Sequence, residues 1–487
     1  MGKDAVLLSD LCRGVGQCVR DARVSDLVTD SRAVTPGCLF AAVPGYEHKG
    51  SSFVQDALTR GAKGIIAEEN LSLPDTVGLV LVDDVRAILG LVAARFFGTF
   101  EHNMALLVVT GTNGKTSTVQ LIRQLLQALD QRVATVGTLG FQLPESMSVT
   151  QNTTPDVVEI HRFLASAAAQ QVAWAALEAS SHGLVQNRLA GLTVGVAAMT
   201  NITQDHLDYH GTMAEYIAAK ARILHLSGVH TVVMDLDDAQ VRELRSQVPA
   251  NVRVLGLSLD AVAEADVLVT AEYHAWGTDA RMRLEGREVP LRLPLVGEFY
   301  LRNTLTAIVM LWAEGFDLAA LVRAAGHLKG VPGRLESVAI DSDLAVYVDY
   351  AHTPDAITRV LKVLRPTVAN DLWVVFGCGG DRDRSKRPLM GRAACEGADW
   401  VVLTSDNPRS EDSLSILADI QAGCPNPRFV MQDRAEAIQA AIAAAAPGDT
   451  VVIAGKGHET EQLIGQIAYP FSDVAVAQAA LAVRKCA

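Results

Sequence analysis

The chain has 487 residues, 49% of them hydrophobic and 20% charged, with a formal net charge of -13. That length accommodates about three domains, and the acidic balance argues against a nucleic-acid partner, since phosphate backbones demand basic patches. No apolar run reaches the ~18 residues of a membrane span, and residues 1–10 lack the basic and apolar stretches of a secretory leader, so a cytoplasmic protein without a membrane span is expected.

The first block, residues 1–98, mixes strand-like runs ("CLFAAVPG", "GIIAEE") with the helical stretch "DVRAILGLVAARFFG". It predicts a small mixed α/β domain, followed by the polar linker "GTFEHN". The second block, 99–333, opens with the strand "MALLVVTG". "KTSTVQLIRQLLQALD" then carries apolar residues at helical spacing. Further strand-like runs, "VAWAALEAS", "GVAAMTNI" and "TVVMDLDD", alternate with helical patterns, which predicts a largely parallel sheet covered by helices. The turn-rich "KGVPGRLE" closes this block. The third block, 334–487, alternates again through "LAVYVDY", "DLWVVFG", "DWVVLTSD", "RFVMQD" and "TVVIAGKG". It reads as a doubly wound, Rossmann-like domain. "FGCGGDRD" is not a dinucleotide fingerprint, because its third glycine position is Arg382. Seven dispersed cysteines with no CxxC pair point to free thiols in a reducing compartment.

"VVTGTNGKTST" carries the clearest chemistry. It follows a strand and opens a helix, the setting of a phosphate loop. The glycine of the strict pattern would fall on Val109, so the loop is the shorter Gly111-Thr112-Asn113-Gly114-Lys115-Thr116. Backbone amides and a helix N-terminus can close round phosphate oxygens, with Lys115 on the terminal phosphates and Thr116 on Mg²⁺. The guanine-reading Asn-Lys-x-Asp is absent, which favours ATP. Glu178 ends the strand "VAWAALEAS", a position suited to a Mg²⁺-binding carboxylate. "SSHGLVQNR" follows at once with Ser180, Gln186 and Arg188. His206, in "TNITQDHLDYHG", and Lys220, in "EYIAAKARIL", read by spacing alone as a surface histidine and an exposed helical lysine.

"TGTNGKT", "LEASSHGLVQNR", "TNITQDHLDYHG", "PGRLE", "DYAHTPDA" and "GKGHE" together resemble the Mur ligases, ATP-dependent amide-forming enzymes of peptidoglycan precursor synthesis. The resemblance runs along essentially the whole chain. "FGCGGDRDRSKRP" and "SDNPRSED" are similar to the branch that adds meso-diaminopimelate to UDP-N-acetylmuramoyl-L-alanyl-D-glutamate. The resemblance implies three α/β domains, with a central P-loop ATPase sheet, and carboxylate activation as an acyl phosphate. It also implies a monomer.

By the same resemblance, Gly111, Thr112, Asn113, Gly114, Lys115, Thr116 and Ser117 match the ATP phosphate loop. Glu178 and His206 match Mg²⁺ ligands, and Lys220 matches a lysine carbamylated in relatives. Asn303, Arg334 and Asp349 match residues around adenine, phosphate and ribose, whereas Tyr300 stands where many relatives have Asn at an adenine contact. Ser31, in "TDSR", matches a uridine-side contact. Asn152, Thr153 and Thr154, with Ser180, Gln186 and Arg188, match contacts to the muramoyl dipeptide. Arg382, Asp406, Asn407, Pro408, Arg409, Gly455 and Glu459 match the diaminopimelate site. Taken alone, "NTTP" reads as a loop leading to a helix cap with proline in the first turn, and "DNPRSED" as an Asn-Pro turn with Ser410 as a cap. The same chemistry with L-lysine, or a ligase like folylpolyglutamate synthase, is the alternative reading; "TDSR" and "NTTP" favour a muramoyl substrate. A P-loop switch that joins nothing would leave the large third block without a purpose.

Overall fold

The computed structural model describes residues 5–45, 48–150, 152–274, 277–339 and 343–486. Two compact units divide the chain. One runs to Thr270 and includes Arg281–Val289 and Arg302–Ala325; the other holds Ala271–Ala280, Pro290–Leu301 and the chain from Gly326. Among the described residues no helix is long and apolar enough to cross a membrane.

The first unit contains a five-stranded sheet in the order Gln17–Arg20, Gly78–Leu81, Gly64–Ala67, Cys38–Ala41, Asp26–Val28. Its first pairing is antiparallel and the rest are parallel. Cys38–Ala41 and Gly64–Ala67 are buried throughout, as continuous apolar runs in a sheet covered on both faces must be.

The same unit carries the central sheet. Six parallel strands lie in the order Val133–Gly137, Trp174–Glu178, Ala105–Thr110, Val196–Met199, Thr231–Asp235, Arg253–Ser258. Glu178 pairs with Val109, and Met199 with Thr110. The loops after these three strands therefore leave the same edge side by side. The helix Lys115–Ala128 covers the sheet through Val119, Ile122, Leu125 and Leu126, all buried. Val267–His274 continues the parallel pairing beside Arg253–Ser258, and the sheet is extended further by Gly277–Leu284 and Arg287–Leu293, strands the sequence reading did not include. In Gly277–Leu284, buried Ala280, Met282 and Leu284 alternate with solvent-facing arginines, the two-residue period of a strand with one wet face.

The second unit holds a six-stranded sheet, ordered Glu336–Ala339, Ala345–Asp349, Thr450–Ala454, Leu372–Phe376, Trp400–Leu403, Phe429–Val430. All pairings but the first are parallel. The chain order reverses direction between Thr450–Ala454 and Leu372–Phe376, the kind of crevice in which open α/β sheets bind ligands.

Three local expectations change. The helix after "NTTP" is Val157–Ala169, and its cap is Asp156 in a capping box with Glu159, leaving Pro155 just outside. The helix after "DNPRSED" is Ser413–Gln421, capped by Asp412, not Ser410. Cys395 and Cys424 are disulfide-bonded, which corrects the all-thiol reading. The cause is close packing of Lys386–Gly397 on Ser413–Gln421: a Cβ on Gly423 would lie 1.8 Å from the Pro388 carbonyl oxygen. Cys12, Cys18, Cys38 and Cys378 are free.

Candidate active site

The phosphate loop bridges the strand Ala105–Thr110 and the helix Lys115–Ala128, as its sequence predicts. Gly114 has φ +90 and no room for a side chain, since a Cβ there would lie 2.5 Å from Asn303 Oδ1. Asn303 also accepts from Thr118 Oγ1 at 3.3 Å, so it packs under the loop rather than apart from it. Lys115 Nζ donates to the carbonyls of Gly111 (2.7 Å) and Thr112 (2.9 Å). Two residues not singled out from the sequence brace the loop. Asn201 accepts from Asn113 N at 2.9 Å and donates back to Asn113 O at 3.1 Å, while Thr200 Oγ1 donates to Asn113 O at 2.6 Å. Both follow the strand Val196–Met199, so strand-end position was the available signal.

Glu178 is 1% exposed. Thr116 Oγ1 donates to its Oε2 at 2.9 Å. Thr138 adds two bonds, from its backbone N to Oε1 (2.8 Å) and from Oγ1 to Oε2 (3.2 Å). Thr138 was not foreseen either, though it too follows a strand of this edge. Its hydroxyl also meets Thr153 Oγ1 at 3.1 Å. Thr116 and Glu178 supply hard oxygen donors from neighbouring strand ends, which suits Mg²⁺. Among the described residues no group of three His, Cys, Asp or Glu forms a metal cage, and Mg²⁺ commonly takes only one or two protein carboxylates, with waters and phosphates completing its shell.

A polar network continues from Glu178. Thr154 Oγ1 donates to the Glu178 carbonyl at 2.8 Å and accepts from Ser180 N at 2.9 Å. Ser180 caps the helix Ser181–Val185. Arg188 donates to the Thr154 carbonyl at 2.5 Å and to Gln186 Oε1 at 2.7 Å. Thr153, Thr154, Ser180, Gln186 and Arg188 thus form one cluster beside Glu178. Asn152 is exposed at its rim. Ser31 lies in the five-stranded module, hydrogen-bonded to Asp56.

His206 has left-handed backbone, φ +52, and sits 3.5 Å from Asp205 Oδ2. Its ring lies 4.9 Å from that of His182, whose pKa is pushed down to about 4 by burial and by the neighbouring His206 and His210. Lys220 is buried, not exposed as its spacing suggests: it is 1% accessible, with Nζ 4.7 Å over the Tyr216 ring. Burial, reinforced by the Lys115 charge, holds its pKa well below that of an ordinary lysine. Tyr216 OH in turn meets Thr112 Oγ1 at 3.0 Å, which ties this helix to the phosphate loop.

The second unit gathers the remaining candidates at its sheet edge. Asp349 is buried, and both oxygens anchor backbone: Oδ2 accepts from Leu335 N at 2.7 Å and Oδ1 from Ala351 N at 2.8 Å. Burial raises its pKa. Arg334 stacks its guanidinium 4.6 Å from the Tyr350 ring centroid. Tyr300 OH donates to the Arg334 carbonyl and accepts from Val331 N at 2.9 Å. This residue therefore fastens the Val331–Arg334 turn.

Asp406, Asn407, Pro408 and Arg409 follow the strand Trp400–Leu403; Gly455 and Glu459 follow Thr450–Ala454. Asn407 Nδ2 donates to Glu459 Oε2 at 2.9 Å. Arg409 Nη1 donates to the Gly380 carbonyl at 2.9 Å. Asp406 is buried, which raises its pKa. Arg382 is exposed nearby in the chain segment after Gly380. Buried Arg387 was missed by sequence reasoning. It pairs with Glu411 (2.8 Å) and Asp419 (3.0 Å), and Glu411 in turn holds Asp381 N at 2.6 Å.

Three family models match this chain: Mur ligase family, catalytic domain, at residues 23–97; Mur ligase middle domain at 109–311; and Mur ligase, glutamate ligase domain, at 333–457. A UDP-N-acetylmuramoyl-L-alanyl-D-glutamate--2,6-diaminopimelate ligase of Synechococcus elongatus is 42% identical over 480 residues, covering 96% of each chain. One of the same name from Brucella melitensis is 40% identical, covering 99% of this chain and 98% of its own. A solved structure of a ligase so named superposes with a TM-score of 0.74 at 37% identity over 99% of both chains. With these matches along its whole length, and with a Gly-Lys-Thr loop at a strand end beside a buried carboxylate, the chain belongs to the Mur ligase family.

Proposed function

We propose that this protein is the ATP-dependent ligase that joins meso-diaminopimelate to UDP-N-acetylmuramoyl-L-alanyl-D-glutamate in peptidoglycan precursor synthesis. The observation that carries the reading is the near-full-length likeness to ligases of that name, at 37–42% identity, combined with the Thr116–Glu178 contact beside the phosphate loop. Residues 1–98 are assigned to the UDP-sugar end, 99–333 to ATP, and 334–487 to the amino acid. A cytoplasmic setting is part of the same reading.

A free carboxylate is a poor electrophile, so it is first activated. The γ-carboxylate oxygen of D-glutamate attacks the γ-phosphorus of ATP, the bond to the β,γ-bridging oxygen breaks, and ADP leaves. The diaminopimelate amine then attacks the acyl carbon, phosphate departs, and the nitrogen loses a proton. Lys115 and the loop amides balance the phosphate charge, which is most of what phosphoryl transfer requires of a protein. Thr116 and Glu178 would hold Mg²⁺, which supplies charge neutralisation at the phosphates. His206 and a carbamylated Lys220 would complete a second cation site. Burial favours the uncharged amine of Lys220, the form that combines with carbon dioxide. Thr154, Ser180, Gln186 and Arg188 orient the dipeptide.

The test is ADP release by the purified protein. It should require both the UDP-muramoyl dipeptide and meso-diaminopimelate. Release that needs neither would return the chain to a plain ATPase, and equal rates with L-lysine would replace the amino acid.

A further inference from the structure

Lys456 lies between Gly455, φ +113, and Gly457, φ +54. These two left-handed residues turn the lysine into the sheet edge. Neither could carry a side chain, because a Cβ would lie 2.9 Å from Asp406 Oδ2 at Gly455 and 2.8 Å from Tyr350 Cβ at Gly457. Lys456 is 0% exposed. An ammonium so desolvated persists only with good partners. It donates to Glu459 Oε2 at 2.8 Å and to Asn407 Oδ1 at 3.0 Å.

The second bond has a geometric consequence. Asn407 Oδ1 also accepts from Leu463 N at 2.9 Å, so both its lone pairs are filled. The amide must then present Nδ2 to Glu459 Oε2. That oxygen receives two donors, from Lys456 and Asn407, while Oε1 takes no protein hydrogen bond among the described residues. The Glu459 side chain is 33% exposed, so Oε1 can be reached. The Lys456 charge also favours the ionised form of Glu459 and offsets, at Asp406, the opposition that burial and the Glu459 charge offer to ionisation. Arg434, also buried here, is committed to Asp473.

We infer that Lys456 is a positioning residue for amino-acid recognition, locking Asn407 and Glu459 so that one Glu459 oxygen is held ready for an ammonium group of the incoming diaminopimelate. This rests on reading the Asn407–Glu459 cluster as the amino-acid site. Lys456 gives two of its three donors to protein oxygens and acts through them.

The experiment is steady-state kinetics of the full-length protein as Lys456→Met, Glu459→Gln and the double variant, with thermal melting of each. Lys456→Met should raise the diaminopimelate KM by about 30-fold or more, as loss of a supporting partner commonly does. The KM values for ATP and the UDP-muramoyl dipeptide should stay within about 2-fold, because a selective KM change marks lost ground-state binding. A purely structural lysine would instead lower kcat through less folded enzyme and leave all three KM values alone, and that result overturns the inference. If Lys456→Met does not fold, the double variant removes the buried pair together. Its diaminopimelate KM should then be within about 3-fold of Glu459→Gln alone, since residues acting through one another are not additive; a further tenfold rise overturns the inference. Should Glu459→Gln itself leave the diaminopimelate KM unchanged, the reading of this cluster as the amino-acid site fails instead.

Discussion

Thr116 and Glu178, 62 residues apart in sequence, meet at 2.9 Å because two parallel strands end in register. The hydroxyl belongs to the first turn of the phosphate-loop helix and the carboxylate to the neighbouring strand. Thr138, from a third strand, holds both carboxylate oxygens. Thr138→Val removes the hydroxyl bond and keeps the backbone one. The apparent Mg²⁺ requirement should rise roughly 10–100-fold, the usual effect of losing an outer partner of a metal ligand, and excess Mg²⁺ should restore the rate. Titration of ADP release against Mg²⁺ measures this, and an unshifted curve would remove Thr138 from the site.

Lys115→Ala should leave the fold intact and the reaction nearly dead. The lysine is half-buried and donates to two loop carbonyls, Gly111 O and Thr112 O. Its loss therefore costs little packing, whereas one missing charge-stabilising donor commonly costs about 10²–10³ in kcat. Melting temperature and single-turnover phosphate transfer separate the two effects. Wild-type turnover would end the assignment of this loop to ATP.

Lys220→Ala should be nearly inactive, and bicarbonate should not rescue it. A small carboxylate such as acetate should restore part of the rate by standing in the vacated space. The buried, charge-disfavouring setting of Lys220 is what separates this prediction from that for a surface lysine. Full activity of the alanine variant would return Lys220 to a packing role.

Stability of the second unit depends on an ion pair beneath its ligand edge. Arg434 and Asp473 are both fully buried, and two nitrogens of the arginine donate to the two carboxylate oxygens at 2.7 Å. Arg434 also holds the carbonyls of Ser405 (3.2 Å) and Ala454 (2.9 Å), at the ends of the strands that lead to Asp406 and Gly455. Arg434→Met should lower unfolding stability by about 3–5 kcal/mol, because it strands a buried carboxylate. Denaturant titration gives the value, and a loss under about 1 kcal/mol would mean that Asp473 finds another partner or a proton.

Much of this was legible in the chain. Apolar runs of strand length separated by helical periods gave the parallel sheets, and Gly-Lys-Thr after a strand placed the phosphate loop. Glu178 was readable because a strand end beside such a loop is a position with chemical meaning. What escaped has a common cause. Thr138, Asn201 and Lys456 act through contacts that span 40 to 88 residues, and no local pattern encodes which strand lies beside which. Lys220 was misread as exposed: Tyr216, four residues earlier in the same helix, is a local neighbour, but the burial of the lysine and the Lys115 charge come from outside that helix. The disulfide was invisible for the same reason: Cys395 and Cys424 are 29 residues apart, and only helix packing brings them together.

We predict that amino-acid choice rests on Arg409. Its backbone is left-handed, φ +51, and is pinned at both ends: its N–H donates to Leu463 O at 3.1 Å, and its carbonyl accepts from Gly465 N at 2.8 Å. Nη1 is spent on the Gly380 carbonyl. The guanidinium is thereby pre-set, and its remaining donors can grip a carboxylate through two parallel bonds. Diaminopimelate differs from lysine by the carboxylate at its far end. Lysine would leave Arg409 unpaired and bring a second cation towards it. A site built around such a pair can reject the analogue lacking it by about 10⁴-fold, so kcat/KM should strongly favour meso-diaminopimelate. Arg409→Ala should erode that preference by losing diaminopimelate rather than by gaining lysine, because the rest of the pocket keeps its shape for the larger acid. The ATP KM should hardly move, since the phosphate loop belongs to the other unit. Steady-state kinetics of both amino acids, with wild type and variant, decide the matter. Equal use of lysine by the wild type, or an unchanged diaminopimelate KM in Arg409→Ala, would take specificity away from this residue.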